Sequence, residues 1–288
     1  MGTYHTLGER RQTIIDRRLT VMKRLFGIGL VLLSFPVLLM AQENVEHDNI
    51  LKLKIGTGYQ MDSYLSPLGY IGLQGGLGNE WWQPFRCDST NHWSHVGRVD
   101  AYVINYHSTA RTNKYTGFQL AFGWGAFYEW KWFDDRLRVH TGPYLEGGLN
   151  VREHASNVNK IVSLDIAIDL MAMGGISWSF YGKKTSYRLN YLLRTNLIGF
   201  DFLPEYWESY YEITEGVPGI ARCSGHWNHN TVKHELTLDM QFPHTTWRVG
   251  AEHEFVKYGT NNLHFMRNQF SIILACRWKY RIQTNARL

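Results

Sequence analysis

The stretch Tyr115–Trp132, YTGFQLAFGWGAFYEWKW, alternates apolar residues with mostly small or polar ones. Every second position from Phe118 to Trp132 is apolar, and glycine, glutamine, glutamate and lysine occupy most of the positions between them. A period of two sends successive side chains to opposite faces of a β-strand. The stretch therefore predicts a strand with one wholly apolar face.

The same alternation recurs along the rest of the chain and predicts about ten antiparallel strands. Clear runs cover Leu137–Arg152, Val162–Phe180, Tyr187–Leu197, Val232–Phe242, Trp247–Phe255 and Phe270–Ile282, with weaker ones at Leu51–Tyr59, Leu68–Leu77 and Val96–Tyr106. Short and longer links alternate, as is typical of transmembrane barrels. We predict an all-β, transmembrane up-and-down antiparallel barrel of about ten strands, with about eight or twelve as alternatives, and one long loop, Phe202–Asn230.

Aromatic residues cluster near the predicted short turns, where the girdle of a membrane barrel is expected. The members are Trp130, Trp132, Trp178, Phe180, Tyr187, Trp247, Trp278 and Tyr280. Two links do not fit the simple alternation of lengths. The link Asn79–His95 is too long for the short-turn end, and Gly259–His264 is counted among the longer loops.

A soluble barrel or sandwich with the apolar row inside is the competing interpretation. Its outer face would then be rich in Gly, Ala, Ser and Asn, which are poor surface strand formers. Inside a membrane barrel, the same small residues leave room for charges of both signs to pair, and at this strand number side chains fill the lumen. The predicted lumen charge network consists of Glu129, Arg138, His140, Asp165, Asp169, Arg188, Arg194, Asp239, Arg248 and Glu252.

The N-terminal segment has the pattern of an export signal. The apolar stretch Leu25–Met40 follows two basic residues and ends before Ala41, and it is shorter than the roughly 20 residues of a spanning helix. We predict a leader and signal peptide at 1–41, with Met22 as the start and cleavage near Ala41. A single barrel domain, 42–288, follows, and export predicts the outer membrane of a Gram-negative bacterium.

The basic excess of the chain belongs largely to this leader. The sequence has 30 Lys and Arg against 25 Asp and Glu, and the leader carries six of the basic residues but only two of the acidic ones. The remaining chain is close to neutral, which argues against a nucleic-acid partner. We predict no cofactor. His226, His229 and His234 are the group that most resembles a metal-binding set, but three histidines without defined spacing do not predict a metal.

The long loop carries a resemblance to a known family. Phe202–Ile213 (FLPEYWESYYEI), with Tyr64–Leu68 upstream and Asn261–Leu263 downstream, resembles an uncharacterised family of exported Bacteroidota proteins, a domain of unknown function. The Ser-Tyr-Tyr-Glu-Ile core, Ser209–Ile213, is the specific element, and the similarity covers roughly Leu51–Tyr280. The resemblance implies a β-rich outer-membrane protein with no assigned activity.

The leading hypothesis for function is a non-enzymatic structural or surface-binding barrel. Long loops without regular structure are unusual unless they are functional, and aromatic rings beside carboxylates suit sugar or peptide ligands. The candidate ligand-binding loop comprises Glu205, Tyr206, Trp207, Ser209, Tyr210, Tyr211 and Glu212. The expected partners are outer-membrane lipids and an extracellular sugar or peptide. The alternative for the loop is simple packing of these rings on the barrel rim.

Two other functions stay open. A surface hydrolase acting on lipid or peptide would use Ser209 and His226 of the long loop, or His140 as an acid–base partner of Asp165 or Asp169. The sequence shows no defined catalytic motif for either set. A narrow solute pore is the third reading, although lumen charges of both signs favour a closed interior.

Overall fold

The computed structural model describes residues 46–63, 66–85, 92–154, 162–182, 185–202, 221–242, 245–260 and 263–281. They form the strands β1 (Glu46–Asp62), β2 (Ser66–Pro84), β3 (Trp93–Ser108), β4 (Lys114–Trp132), β5 (Leu137–His154), β6 (Val162–Tyr181), β7 (Ser186–Phe202), β8 (Ala221–Gly225), β9 (His229–Gln241), β10 (Thr246–Thr260) and β11 (Leu263–Arg281). Within this part of the chain, no helix is long and apolar enough to cross a membrane. The predicted leader lies outside the described residues.

The strands form one closed antiparallel barrel. From β1 to β7 each strand pairs with the next, β9 continues the ring through β10 to β11, and β11 pairs with β1 to close it. The short β8 pairs only with the outer part of β7, beyond the pairs that β7 makes with β9. Strands β8 and β9 therefore occupy a single strand position, or stave, of the ten-membered ring. The prediction of an all-β barrel of about ten strands is confirmed.

The apolar row faces outward, as the membrane-barrel interpretation requires. Phe122 is 62% exposed and Ile272 is 59% exposed, although both lie in the middle of long strands. The alternate positions point into the lumen, where Lys52 and Lys54 are wholly buried. The soluble interpretation, which places the apolar row inside, is wrong for this chain.

The two ends of the barrel differ in the links they carry. At the termini end, where β1 begins and β11 ends, the links are 85–92, 133–136, 182–185 and 242–245. At the opposite loop end they are 63–65, 109–113, 155–161, 203–220 and 261–262. The longest link therefore lies at the loop end. Of the predicted girdle, Trp130, Trp132, Trp178, Phe180, Trp247 and Trp278 are exposed near the termini end.

Two predicted links are shorter in the structure because the flanking strands continue through them. The ladder of β2 and β3 extends through pairs such as Glu80 with Arg98 and Trp82 with Val96, which leaves only 85–92 between the strands. The predicted longer loop Gly259–His264 likewise shrinks to 261–262, since β10 and β11 pair up to their ends. The reading of these two segments as long links was wrong.

Two irregularities near the loop end change which residues face the lumen. Between Leu170 and Met171 of β6 the register against β7 shifts, so that Leu197 is the extra residue. In the next stave, a turn over 226–228 separates β8 from β9 and leaves Trp227 74% exposed. A bulge of this kind exchanges the inward and outward positions of the strand beyond it.

Candidate functional site

A layer of buried charges crosses the middle of the lumen. It consists of Lys52, Lys54, Glu80, Arg98, Asp100, Glu235 and Glu252, which we call the central charge layer. Each member is less than a tenth exposed. The layer contains three cations and four carboxylates, and Arg248, 3.6 Å from Glu80, supplies a fourth cation. Charges of opposite sign are therefore close to balanced inside the barrel.

Lys52 and Arg98 hold the layer together. Lys52 Nζ donates hydrogen bonds to Glu80 Oε2 at 2.7 Å and to Glu235 Oε1 at 2.6 Å. Arg98 Nη1 donates to Glu235 Oε2 at 2.9 Å, and Arg98 also pairs with Asp100 and Glu252. Strands β3 and β9 stand five staves apart in the ring of ten, so the Arg98–Glu235 pair spans the barrel from wall to opposite wall.

Lys54 completes the layer on the β1 wall. Its Nζ lies 3.0 Å from Glu252 Oε2 and 2.8 Å from Asp100 Oδ1, and it donates to Tyr102 Oη at 2.7 Å. Tyr102 in turn donates its hydroxyl to Glu252 Oε1 at 2.6 Å. The layer thus forms a connected network, which satisfies buried charges far better than isolated pairs would.

A second crossing lies nearer the loop end. Arg267 Nη1 donates to Asn150 Oδ1 at 3.0 Å, and strands β11 and β5 also face each other across the ring. Arg152 lies 2.7 Å from Asp62 Oδ2 and pairs with Asp165 as well. Side chains therefore obstruct the lumen at two levels.

The central charge layer separates two cavities. A cavity of about 360 Å³ lies on the termini side, lined by charged residues of both signs that include Glu129, Arg138, Arg188 and Arg277. A smaller cavity of about 80 Å³ lies toward the loop end and is lined by Asp169 and other polar groups. Each cavity reaches the layer from one side, because Glu80 and Glu235 line the larger cavity and Arg98 and Glu252 line the smaller one.

The smaller cavity is lined by a group that we call the Asp–His cluster: Asp169 on β6, Asp201 on β7 and His229 on β9. His229 Nδ1 lies 2.9 Å from Asp201 Oδ1 and 3.9 Å from Asp169 Oδ1. All three side chains are buried. The bulge in β7 and the turn after β8 flank this cluster, because Asp201 follows the bulge at Leu197 and His229 follows that turn.

The ten residues of the predicted lumen charge network all lie on the inner wall, but they fall into separate groups. Glu252 belongs to the central charge layer, Asp239 and Arg248 pair beside it, and Arg194 binds Glu146. Glu129, Arg138, His140 and Arg188 line the termini-side cavity, Asp165 pairs with Arg152, and Asp169 belongs to the Asp–His cluster.

The structure does not bring His140 to Asp165 or Asp169. His140 lies in the termini half, where its ring contacts Trp82 and Phe127 at centroid distances of 5.6 and 5.5 Å. Its ladder neighbour on β6 is Gly175, well along the strand from both aspartates. The proposed acid–base pair is therefore absent, because shared inward orientation does not imply equal height in the barrel.

Sequence reasoning missed several central residues. Lys52, Lys54, Glu80, Arg98 and Asp100 lie on the first three strands, whose alternation was considered weak. The segment Leu51–Ile55 (LKLKI) does alternate strictly, and two lysines at alternate positions within it were the available signal. The candidate ligand-binding loop, Glu205 to Glu212, lies outside the described residues, as does the rest of 203–220. Ser209, which the hydrolase hypothesis combined with His226, lies in that segment.

These features define a class of protein. A closed antiparallel barrel with an apolar outer face, a charged lumen and aromatic residues near one end has the architecture of outer-membrane barrels. Residues 30–275 match a family described as "Protein of unknown function (DUF3316)", and the chain belongs to that family. No curated protein matches the chain.

Solved structures with similar folds include several outer-membrane barrels. The outer membrane protease OmpT from Escherichia coli superposes with a TM-score of 0.45 and 8% identity, over 82% of this chain and 97% of that one. The transport unit of the autotransporter AIDA-I from Escherichia coli gives 0.44 and 8%, over 83% and 91%. The Neisserial surface protein A gives 0.31 and 9%, over 81% and 97%.

Proposed function

We propose that this protein is a non-enzymatic barrel of the Gram-negative outer membrane. Its lumen is closed to solutes, and its loop end binds a ligand at the cell surface. The single observation that carries the closed lumen is the central charge layer, in which Arg98 joins Glu235 on the opposite wall. Opening a path would require breaking buried ion pairs, each of which is costly to separate.

The outer face supports the membrane location. Its exposed belt of Leu, Ile, Phe and Trp side chains is suited to contact with lipid tails, and the tryptophans near the termini end suit the lipid headgroup region. Three of the four links at the termini end have four residues, whereas the longest link of the barrel, 203–220, lies at the loop end; in outer-membrane barrels the longer loops are extracellular. The loop end, with the segment 203–220, would then face outward.

Surface binding rests on the residues of that segment. Tyr206, Trp207, Tyr210 and Tyr211 offer flat amphipathic rings, and glutamates lie beside them. Such rings pack against sugar faces and peptide side chains, whereas a charge-filled lumen provides no passage for transport. A binding function is therefore favoured over a solute pore.

Planar-bilayer recording on the purified, folded chain tests the closed lumen, with an open general porin as the positive control. We expect no discrete conductance steps; regular steps would contradict the proposal. Heat-modifiable migration on gels of outer-membrane fractions tests the location. A soluble chain without a shift between unboiled and boiled samples would contradict it.

A loop variant tests surface binding. Replacing Tyr206, Trp207, Tyr210 and Tyr211 with serine keeps the loop length, so the barrel should still show its heat-dependent shift. Binding to arrays of immobilised oligosaccharides and peptides should fall at least tenfold in this variant. Equal binding by the variant and the parent chain would assign the rings to packing on the rim.

A further inference from the structure

We propose that the Asp–His cluster binds a divalent transition-metal ion, with Zn²⁺ as the best fit. This goes beyond the proposed surface-binding function, and neither depends on the other. The ligands would be one carboxylate oxygen each from Asp169 and Asp201 and the Nδ1 atom of His229. One ligand atom from each residue lies within 4.8 Å of the other two.

The spacing fits a metal centre. His229 Nδ1 is 2.9 Å from Asp201 Oδ1 and 3.9 Å from Asp169 Oδ1. Zn–N and Zn–O bonds are about 2.0–2.2 Å long, so two ligands of one tetrahedral ion lie about 3.4 Å apart. The two separations from His229 bracket that value, and the two aspartates also have ligand atoms within 4.8 Å of each other.

Asp169 supplies the observation that points to a missing cation. The residue is 7% exposed, and its Oδ1 atom is buried without a hydrogen-bond partner in the part of the chain that the structure describes. Other lumen carboxylates have close cations: Asp239 Oδ1 accepts from Arg248 Nε at 2.5 Å. A buried carboxylate without such a partner is strongly unfavourable.

A single proton on His229 does not satisfy the whole cluster. His229 Nδ1 faces both oxygens of Asp201, at 2.9 and 3.0 Å, so a proton or a metal ion must lie between the imidazole and the carboxyl group. A proton on Nδ1 serves Asp201 but leaves Asp169 Oδ1 unpaired. One divalent cation among the three groups would contact Asp169, Asp201 and His229 together.

The surrounding residues hold the imidazole as a metal ligand is usually held. His229 Nε2 lies 3.0 Å from Thr231 Oγ1, which matches the second hydrogen bond that orients most metal-binding histidines. Asn196 fixes the backbone on both sides of this contact. Its Nδ2 donates to the His229 carbonyl at 2.5 Å, and its Oδ1 accepts from the Thr231 N–H at 2.8 Å.

The barrel wall is modified to bring these ligands together. Without the bulge at Leu197, the alternation of β7 would point Asp201 toward lipid. Gly199 pairs with Asp169 in the ladder, and a Cβ at this position would overlap Asp169 Oδ1. Ser224 pairs with Gly199 from the other side of β7, and its Oγ atom is also buried without a partner among the described residues. The adjoining cavity of about 80 Å³ leaves space for water to complete the coordination, since one water needs only about 10–15 Å³.

One imidazole and two carboxylates distinguish among metals. Ca²⁺ and Mg²⁺ prefer all-oxygen sites, whereas an imidazole suits Zn²⁺, Co²⁺ and related ions. The ligand set therefore favours a transition-metal ion.

Isothermal titration of the full barrel with ZnCl₂ tests the site, using untagged protein stripped with chelator and folded in detergent. We expect one saturable Zn²⁺ site per chain, and Co²⁺ at the same site should give a visible absorption band.

The variants separate this cluster from other histidines. His229→Gln and Asp169→Asn should each weaken Zn²⁺ binding at least 100-fold, with the heat-dependent gel shift showing that the barrel is intact. His234→Gln is the matched control, because His234 lies on the outer face of the same strand and stacks on His253 at 5.8 Å. Its binding should be unchanged.

Three results would overturn the proposal. They are no saturable binding by the parent chain, binding that survives His229→Gln, and equal loss in His234→Gln, which would move the ion to the outer histidines. If His229→Gln does not fold, Asp169→Asn decides the matter, because the Oδ1 atom of Asp169 has no hydrogen-bond partner among the described residues. Retained binding in that variant would also overturn the proposal.

Discussion

The central charge layer and the Asp–His cluster both bury carboxylates in the lumen, but only the first provides a close cation for each of them. Glu80, Glu235 and Glu252 each contact a lysine or arginine within the layer. In the Asp–His cluster, two aspartates share one histidine. The comparison teaches that burial alone does not identify a functional site in a charged lumen. A functional site is instead indicated by a cluster whose buried carboxylates outnumber the cations close to them.

The largest expected effect lies in the central charge layer. Lys52→Met keeps much of the side-chain volume but leaves Glu80 and Glu235 without their shared ammonium group. Because an uncompensated buried charge is costly, the free energy of unfolding should fall by about 3–5 kcal/mol. Urea unfolding in lipid vesicles, followed by tryptophan fluorescence, measures it.

Lys131→Met is the control for that change. Lys131 lies at the termini end, where its side chain is 25% exposed and 3.5 Å from Glu129. Ion pairs with access to water contribute only about 0–1 kcal/mol, so this variant should differ little from the parent chain. Similar losses in both variants would show that the central charge layer has no special role in stability.

A smaller effect is expected at the histidine support of the Asp–His cluster. Thr231→Val keeps the side-chain shape but removes the hydroxyl 3.0 Å from His229 Nε2. Loss of such a supporting contact typically weakens metal affinity about 10–100-fold, which we expect for Zn²⁺ in a titration. Thr237→Val, at another buried inward position of β9, is the matched control. An equal change in Zn²⁺ affinity in both variants would show that the Thr231 hydroxyl does not support His229 specifically.

The smallest loss of stability is expected at Asp169, and it tests directly whether the Asp–His cluster differs from the ion pairs elsewhere in the lumen. In chelator-treated protein, Asp169→Asn should not lower the free energy of unfolding, because it removes a buried negative charge whose Oδ1 atom has no hydrogen-bond partner among the described residues. Asp239→Asn should cost about 3 kcal/mol or more, since Asp239 binds both Arg248 and Arg277. Chemical unfolding of both variants measures the difference. Equal costs would mean that Asp169 is already compensated without a metal.

Sequence reasoning recovered much of the wall and less of the sites. Strict alternation in segments such as Tyr115–Trp132 identified strands and their lipid-facing rows, because inward and outward orientation follows from the local pleat of the backbone. Extending the same count along β7 fails at Asp201, since one bulge at Leu197 reverses the orientation beyond it. The sequence groups His229 with residues near it in the chain, such as His226 and His234, and not with Asp169 and Asp201.

The sequence by itself therefore determined the all-β class, the apolar outer face and a lumen filled with charges of both signs. Only the tertiary structure decided which charges meet. Arg98 and Glu235 are 137 residues apart in sequence and become partners because ring closure places β3 opposite β9. Asp169, Asp201 and His229 converge because two irregular staves lie side by side. The physical reason is that alternation is a local property of a strand, whereas contacts across a lumen depend on closure and on the register of every strand between them.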